Sequence, residues 1–149
     1  MSKVEESIEV DVPVRIAYNQ WTQFESFPHF MDGVERIEQR TDRMTHWVTK
    51  IGGVTKEFEA EITEQIPDER VAWRALGGDV NQAGVVTFHH LDTTRCKVML
   101  QLDYDPEGFA ENVGDKLGFV KRQITGDLKR FKDYIEGRGR ETGSWRGEV

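Results

Sequence analysis

DPEGFAENVGDKLGFVKRQITGDLKRFKDYIEG, residues 105–137, is the stretch that decides the fold, because it reads as the one long helix of the chain. Asp105 suits the N-cap, Pro106 suits the first turn, and Gly137 suits the C-terminal stop. Apolar residues recur there at three- and four-residue steps, and so predict a buried face made of Val113, Leu117, Val120, Ile124, Leu128, Phe131 and Ile135. The charged residues between them predict a solvated face made of Lys121, Arg122, Asp127, Lys129, Lys132 and Asp133.

Two glycines interrupt this helical pattern. A continuous helix of roughly 30 residues would be about 45 Å long, which is too long for one small domain. Gly114 and Gly118 each cost about 1 kcal/mol relative to alanine in a helix interior. We therefore expect a bend or break there, with a straight part over residues 119–136. The absence of a side chain at these glycines either allows the helix to pack closely on the sheet or leaves space for a ligand.

The residues before this helix read as one strand, two short helices and a run of hairpin-linked strands. Val4, Ile8, Val10 and Val12 alternate loosely with acidic residues, and Pro13 ends this first strand. The pattern then predicts helices over 13–23 and 26–31, and strands over 34–39, 44–51, 54–66, 70–76, 81–91 and 95–104. Because no connection is a long crossover, the sheet should be antiparallel throughout.

These elements predict an α+β fold in which seven antiparallel strands curl around the long C-terminal helix. Only one face of each strand is apolar, so one helix is enough to cover the sheet. We expect a single domain over residues 1–137. The polar, glycine-rich residues 138–149 predict a disordered tail. Trp145 within it is either incidental or an anchor for a partner.

Composition excludes several classes of function. The net charge of −7 over 149 residues disfavours a broad nucleic-acid surface. A single cysteine, Cys96, rules out an internal disulfide. There is no signal-like apolar segment and no run of about 18 apolar residues, which predicts a cytoplasmic chain without an integral membrane segment. No metal-ligand spacing and no phosphate-binding glycine loop occurs, so we expect no metal and no cofactor. The oligomeric state stays open.

Four segments carry a resemblance to a known family: VDVPVRIAYNQWTQFESFPHFM (10–31), FEAEITEQIPDERVAWR (58–74), GVVTFHHLD (84–92) and VMLQLDYDPEG (98–108). With the closing helix, they make residues 3–137 similar to the polyketide cyclase/dehydrase branch of the START-like superfamily, also called SRPBCC. The resemblance implies the helix-grip fold, a bacterial origin and a cavity between helix and sheet. Relatives include aromatase/cyclases and carriers of lipids and quinones. They share no catalytic motif, so no catalytic residue is carried over.

The glycine pair at 52–53 allows the faces of one hairpin to be assigned. Such a two-residue loop pairs Ile51 with Val54, Thr49 with Lys56 and Trp47 with Phe58. Residues that pair directly share a face, so Lys56 should point inward with the apolar residues. There it would anchor an acidic ligand group or act as an amine catalyst. Alternatively, Lys56 lies near the sheet edge and extends to water.

The same alternation extends the inward face to the later strands. Trp73 and Tyr104 carry polar atoms that need partners and would suit a ligand oxygen. His90 shares a parity with Phe88 and could reach the rim as an acid or base. The candidate ligand-binding residues are Trp47, Thr49, Lys56, Phe58, Trp73, Val86, Phe88, Leu100, Tyr104, Leu117, Val120 and Ile124.

Three functions are compatible with this pattern. The first is binding of a small, mostly apolar molecule, such as a lipid, isoprenoid or polyketide, in a cavity lined by aromatic residues. The second is a polyketide cyclase or dehydratase, which needs several polar groups inside that cavity. The third is an interaction module with a filled core. The volume of the cavity distinguishes the third from the first two, and the sequence leaves open whether any reaction is catalysed.

Overall fold

The computed structural model describes residues 2–51, 53–78, 81–105 and 116–147, without the side chains of Ser2, Gly78, Lys116 and Leu117. The elements in chain order are β1 (Ser2–Val10), α1 (Val14–Trp21), a 3-10 helix (Phe24–His29), β2 (Val34–Gln39), β3 (Met44–Ile51), β4 (Val54–Ile66), β5 (Arg70–Gly78), β6 (Gln82–Asp92), β7 (Arg95–Tyr104) and α2 (Lys116–Arg138).

The seven strands form one antiparallel sheet in the order β1-β7-β6-β5-β4-β3-β2. β1 and β2 lie on opposite edges although they are neighbours in sequence, so α1 and the 3-10 helix carry the chain from one edge to the other. The register shifts within the β2–β3, β4–β5 and β6–β7 pairs. Such bulges bend a sheet and increase its twist. The result is the predicted helix-grip arrangement, with α2 against the inner face of a curled sheet.

Most boundaries agree with the sequence prediction. The predicted strands 34–39, 44–51, 54–66 and 95–104 are β2, β3, β4 and β7. β1 ends at Val10, two residues before the predicted end, and Pro13 takes the N-cap position of α1 with φ −59°. The second short helix is a 3-10 helix with Pro28 inside it.

Aromatic rings from α1, the 3-10 helix and α2 meet above the sheet. The ring of Trp21 lies 4.8 Å from that of Phe131 and 5.5 Å from that of Phe27, between centroids. Phe30 and Phe131 are 5.1 Å apart in an edge-to-face arrangement. All four side chains are almost fully buried. Tilted aromatic pairs of this kind add about 0.5–1.5 kcal/mol each beyond their burial, so this cluster fixes α2 against the two short helices.

α2 corrects the prediction at its C-terminal end. The helix runs through Gly137 to Arg138, and Gly139, with φ +72°, provides the left-handed cap. Its amide donates to the carbonyl of Ile135 at 2.9 Å. The helix also continues through Gly118, whereas the predicted cap at Asp105 and the predicted break at Gly114 involve residues outside the described ranges. Within those ranges no helix is both long and apolar enough to cross a membrane.

The segment after α2 packs against α1, where the sequence predicts a disordered tail. The Thr142 amide donates to Gln20 Oε1 at 2.9 Å, and Gln20 Nε2 donates back to Thr142 Oγ1 at 3.1 Å. Arg146 donates to Asn19 Oδ1 at 2.7 Å. Asn19 and Gln20 are 3% and 0% exposed, so residues 139–147 supply partners that these buried amides require. Trp145 is half-buried there, and its amide donates to Thr22 Oγ1.

One glycine in β6 makes room for a tryptophan of the neighbouring strand. Gly84 pairs directly with Trp73 of β5. A Cβ atom at Gly84 would lie 2.5 Å from Cζ2 and 2.7 Å from Cε2 of that indole ring. Because an aromatic ring is rigid, it could not yield to a methyl group without moving as a whole. Gly84 therefore determines where Trp73 lies on the inner face of the sheet.

We expect Gly84→Ala to lower the free energy of unfolding by about 1–3 kcal/mol, because overpacking forces a buried ring from its position. Urea unfolding followed by circular dichroism would measure the loss. Gly77→Ala is the matched control, since Gly77 lies in β5 and the methyl group that alanine adds there would have nothing within 4 Å. Equal stabilities for the two variants would contradict the packing role of Gly84.

Candidate functional site: a cavity between the sheet and α2

A cavity of about 60 Å³ lies between the inner face of the sheet and α2. It is bounded by the turn before β2 (residues 30–33), by the start of β2, by inward side chains of β3 and β5–β7, and by one face of α2. The lining residues are Met31, Gly33, Val34, Trp47, Thr49, Ile51, Trp73, Gln82, Leu100, Leu102, Gln123, Ile124 and Asp127. Most of this surface is aromatic or aliphatic, with a few polar groups set into it.

Stacked aromatic rings form the sheet side of the cavity. Trp47 lies 5.9 Å from Trp73 and 5.5 Å from Phe58, with nearly parallel ring planes in both pairs. The indole Nε1 of Trp47 donates to Thr45 Oγ1 at 2.8 Å. The indole Nε1 of Trp73 is buried and has no acceptor among the described residues. A buried donor without a partner is costly, so this atom is suited to a ligand oxygen.

The turn before β2 approaches α2 closely because it carries a glycine. A Cβ atom at Gly33 would lie 3.0 Å from Gln123 Nε2 and 3.0 Å from Ile51 Cγ1. The missing side chain therefore lets the turn close one side of the cavity against α2. Gln123 and Gln82 add amide groups to the lining, and Thr49 adds a hydroxyl that donates to the Lys56 carbonyl at 3.3 Å.

Asp127 is the acidic group of the lining, and the sequence prediction of a solvated position for it is wrong. Its side chain is buried, with 8% relative exposure for the residue. Asp127 lies seven residues after Val120 and three after Ile124, which places it on the apolar face of α2. Burial raises the pKa of this carboxyl to about 6, although the hydrogen bonds from Arg130 and the Asp32 amide act in the opposite direction.

The same carboxylate connects α2 to the turn before β2. Asp127 Oδ1 accepts from Arg130 and, at 3.2 Å, from the backbone amide of Asp32. The Arg130 Nε donates to the Phe30 carbonyl at 3.2 Å, and its guanidinium lies 3.9 Å from Asp32 Oδ2. These contacts hold the two walls of the cavity together at residues 30–32.

The structure brings five of the predicted ligand-binding residues into the cavity wall: Trp47, Thr49, Trp73, Leu100 and Ile124. Five others are buried in the core without lining the cavity: Phe58, Val86, Phe88, Tyr104 and Val120. The side chain of Leu117 is outside the described part of the structure. Correct strand parity therefore identified the inward face, but not which inward residues border empty space.

Two predicted polar residues lie away from the cavity. Lys56 pairs with Thr49 as predicted, but its side chain is only partly buried and does not belong to the lining. His90 is exposed at the end of β6, beside the bulge in the β6–β7 pair. His46 faces outward beside Glu59 as predicted, with 2.6 Å between Nδ1 and the carboxylate.

Several lining residues were missed by sequence reasoning. Met31 and Gly33 belong to a turn, which has no periodicity to assign a face. Gln82 lies at the start of β6, where it pairs with Tyr104. Gln123 was assigned to neither face of the helix. Asp127 was taken as polar surface because of its chemistry, although its helical spacing was an available signal. Among the described residues, no group of three or more His, Cys, Asp and Glu side chains could hold a metal ion.

We expect a pH dependence of stability that Asp127→Asn removes. Between the ordinary pKa of 3.8 and the folded value of about 6, the folded state keeps a proton that the unfolded state has released. The unfolding free energy should therefore fall as the pH rises through this window, by about 3 kcal/mol in total from this group. Outside this window, Asp127 should add no further pH dependence to the unfolding free energy.

Urea unfolding of both proteins from about pH 3.5 to 7.5 measures this difference. Asp133→Asn is the matched control, because Asp133 is an exposed aspartate on the same helix. Its curve should run parallel to that of the wild-type protein. A parallel curve for Asp127→Asn as well would show that Asp127 does not titrate with a raised pKa.

Comparisons with known proteins agree with this architecture. An uncharacterised 17.2 kDa protein of Streptomyces lincolnensis, encoded in the melC2-rnhH intergenic region, is 72% identical over 149 residues, which are 100% of this chain and 99% of that protein. The Zhui aromatase/cyclase of Streptomyces sp. R1128 has a similar fold, with a TM-score of 0.75 at 16% identity over 97% of this chain and 99% of that one. A Deinococcus radiodurans protein gives a TM-score of 0.74 at 24% identity, over 93% of this chain and 99% of that one.

The family assignment rests on a match that covers most of the chain. Residues 10–133 match the family model described as polyketide cyclase / dehydrase and lipid transport. This span includes β1's last residue, all later strands and most of α2, and so includes every residue that lines the cavity. The chain is a member of the polyketide cyclase/dehydrase and lipid transport family.

Proposed function

We propose that this protein binds a small, mostly apolar molecule in the cavity between the sheet and α2. The observation that carries the proposal is the cavity itself, whose wall is largely aromatic and aliphatic with a few polar groups at fixed positions. Ligand sites in proteins have this composition. The family description, which includes lipid transport, supports the same class of ligand.

Binding requires the cavity to open. Its volume of about 60 Å³ is smaller than the roughly 150 Å³ of an engineered apolar cavity that takes benzene. A lipid or polyketide needs several times more space. The contact between the turn before β2 and α2 is the natural place for opening, because it rests on Gly33 and on a few hydrogen bonds rather than on a β-ladder. Separating these two walls enlarges the cavity without breaking the sheet.

We expect Ile124→Phe to weaken binding of naphthalene at least tenfold, because the larger side chain occupies the cavity. Titration followed by ¹H–¹⁵N NMR of the tryptophan indole groups would measure it, since Trp47 and Trp73 both line the cavity. The wild-type protein should show saturable shifts at these two indoles.

Thr125→Phe is the matched control, because Thr125 is the next residue of α2 and is exposed. Because this side chain does not line the cavity, the variant should keep the affinity for naphthalene within about twofold of the wild type. Absence of saturable binding to the wild-type protein would overturn the proposal and favour the interaction module with a filled core.

A second candidate, an enzyme of the cyclase/dehydratase kind, is favoured by Asp127. This carboxyl group lines the cavity and burial raises its pKa to about 6, which suits a general base near neutral pH. Such a base would remove a proton next to a ketone, so that the carbanion attacks a second carbonyl in the same chain. The new carbon–carbon bond closes the ring, the resulting alkoxide takes up the proton, and loss of water then forms the double bond. The aromatase/cyclase among proteins of similar fold supports this alternative.

The enzyme candidate predicts that the protein accelerates closure of a short linear diketone to a cyclohexenone, followed by the ultraviolet absorbance of the product. Asp127→Asn should lower the rate at least a hundredfold, the scale of general base catalysis. Asp133→Asn should leave it unchanged. Equal rates with the wild-type protein and with Asp127→Asn would exclude Asp127 as the base.

A further inference from the structure

The two oxygens of the Asp127 carboxylate have different surroundings. Both hydrogen bonds that reach this side chain end on Oδ1, one from Arg130 and one from the Asp32 amide. Oδ2 has no donor among the described residues. Asp127 has a relative exposure of 8%, and it borders the cavity. A carboxylate oxygen accepts hydrogen bonds, so Oδ2 is available to a donor that enters the cavity.

Another residue of the cavity wall carries a polar atom without a partner, and this atom is a donor. Trp73 lines the same cavity, and its buried indole Nε1–H has no acceptor among the described residues. One unpartnered acceptor and one unpartnered donor thus belong to a wall that is otherwise mostly apolar. Buried polar groups are nearly always hydrogen-bonded in folded proteins, so the enclosed Trp73 indole is an exception that a ligand oxygen would satisfy.

The charges around Asp127 restrict the ligand further. The charged groups that face it are Arg130 on α2 and Asp32 on the turn before β2. Arg130 already balances the Asp127 carboxylate. An ammonium group would therefore bring an additional charge into an apolar cavity, and a ligand carboxylate would meet Oδ2 with like charge. A neutral hydroxyl donates to Oδ2 without either cost.

We propose that Asp127 Oδ2 accepts a hydrogen bond from a hydroxyl group of the ligand, and that the ligand is a neutral phenol, enol or alcohol with an apolar body. The inference rests on the proposed binding function and specifies its ligand class. It replaces the acidic ligand that an inward Lys56 would have implied. Asp127 acts here as a residue that determines specificity.

The test compares three ligands of the same ring system: naphthol, naphthalene and naphthoate. At about pH 7.5, NMR titration of the wild-type protein should give naphthol an affinity at least tenfold above that of naphthalene, because hydrogen bonds to charged groups exceed those between neutral groups. Naphthoate should bind most weakly. At about pH 4.5 the preference for naphthol should shrink, since Asp127 is then protonated.

Asp127→Asn should reduce the preference for naphthol over naphthalene to about threefold or less while the affinity for naphthalene is kept. Asp133→Asn, with an exposed aspartate on the same helix, should keep the full preference. Because the ligand comparison uses the wild-type protein, the test does not depend on the folding of a variant.

The outcomes separate this inference from the proposed function. Equal affinities for naphthol and naphthalene in the wild-type protein would overturn the hydroxyl inference and leave apolar binding intact. Tightest binding of naphthoate would overturn it in favour of a cationic anchor. A full preference for naphthol in Asp127→Asn would assign the hydroxyl contact to another residue. Failure of all three ligands to bind would overturn both proposals.

Discussion

The inner face of one curled sheet is covered by one helix, and the rest of the structure depends on this constraint. A bent sheet has a concave surface, whereas a helix is a straight cylinder. The two backbones therefore cannot stay in close contact along the whole helix. Side chains fill the difference at one end, where Trp21, Phe30 and Phe131 pack together above the sheet. Between Trp47 and Ile124 the filling is incomplete, and the cavity remains. The candidate site is thus a consequence of the architecture.

The parts of the fold that follow local rules were predictable from the sequence. Alternation with a period of two assigned the faces of β4 and β7, because a strand can bury only every second side chain when one face is solvated. The hairpin glycines set the β3–β4 register, and Gly53 has the positive φ angle of 81° that this turn requires. The order of the elements then left few topologies, since hairpin connections force neighbouring strands to be antiparallel.

The parts that were missed depend on contacts between residues far apart in sequence. Asn19 and Gln20 are buried because a segment more than a hundred positions later supplies their hydrogen bonds, and that segment has neither apolar periodicity nor secondary structure to announce it. Asp127 was assigned to the surface because a carboxylate usually belongs there. Its burial depends on Arg130 and on the Asp32 amide, which only the folded turn brings within reach. Strand parity assigned Trp47, Thr49, Trp73 and Leu100 to the candidate site, whereas the polar residues Gln82, Gln123 and Asp127 were missed.

Asp127 is costly for the fold, and that cost connects stability to the occupancy of the cavity. A methionine or leucine would fit the apolar face of α2 without desolvating a charge, and the raised pKa shows that the bonds from Arg130 and Asp32 do not fully offset the burial. Any ligand group that donates to Oδ2 favours the ionised carboxylate and therefore lowers the pKa of Asp127. By linkage, the ionised protein then binds that ligand more tightly than the protonated protein does. The carboxylate that lowers the stability of the ligand-free protein near neutral pH thus also favours a ligand with a hydroxyl group.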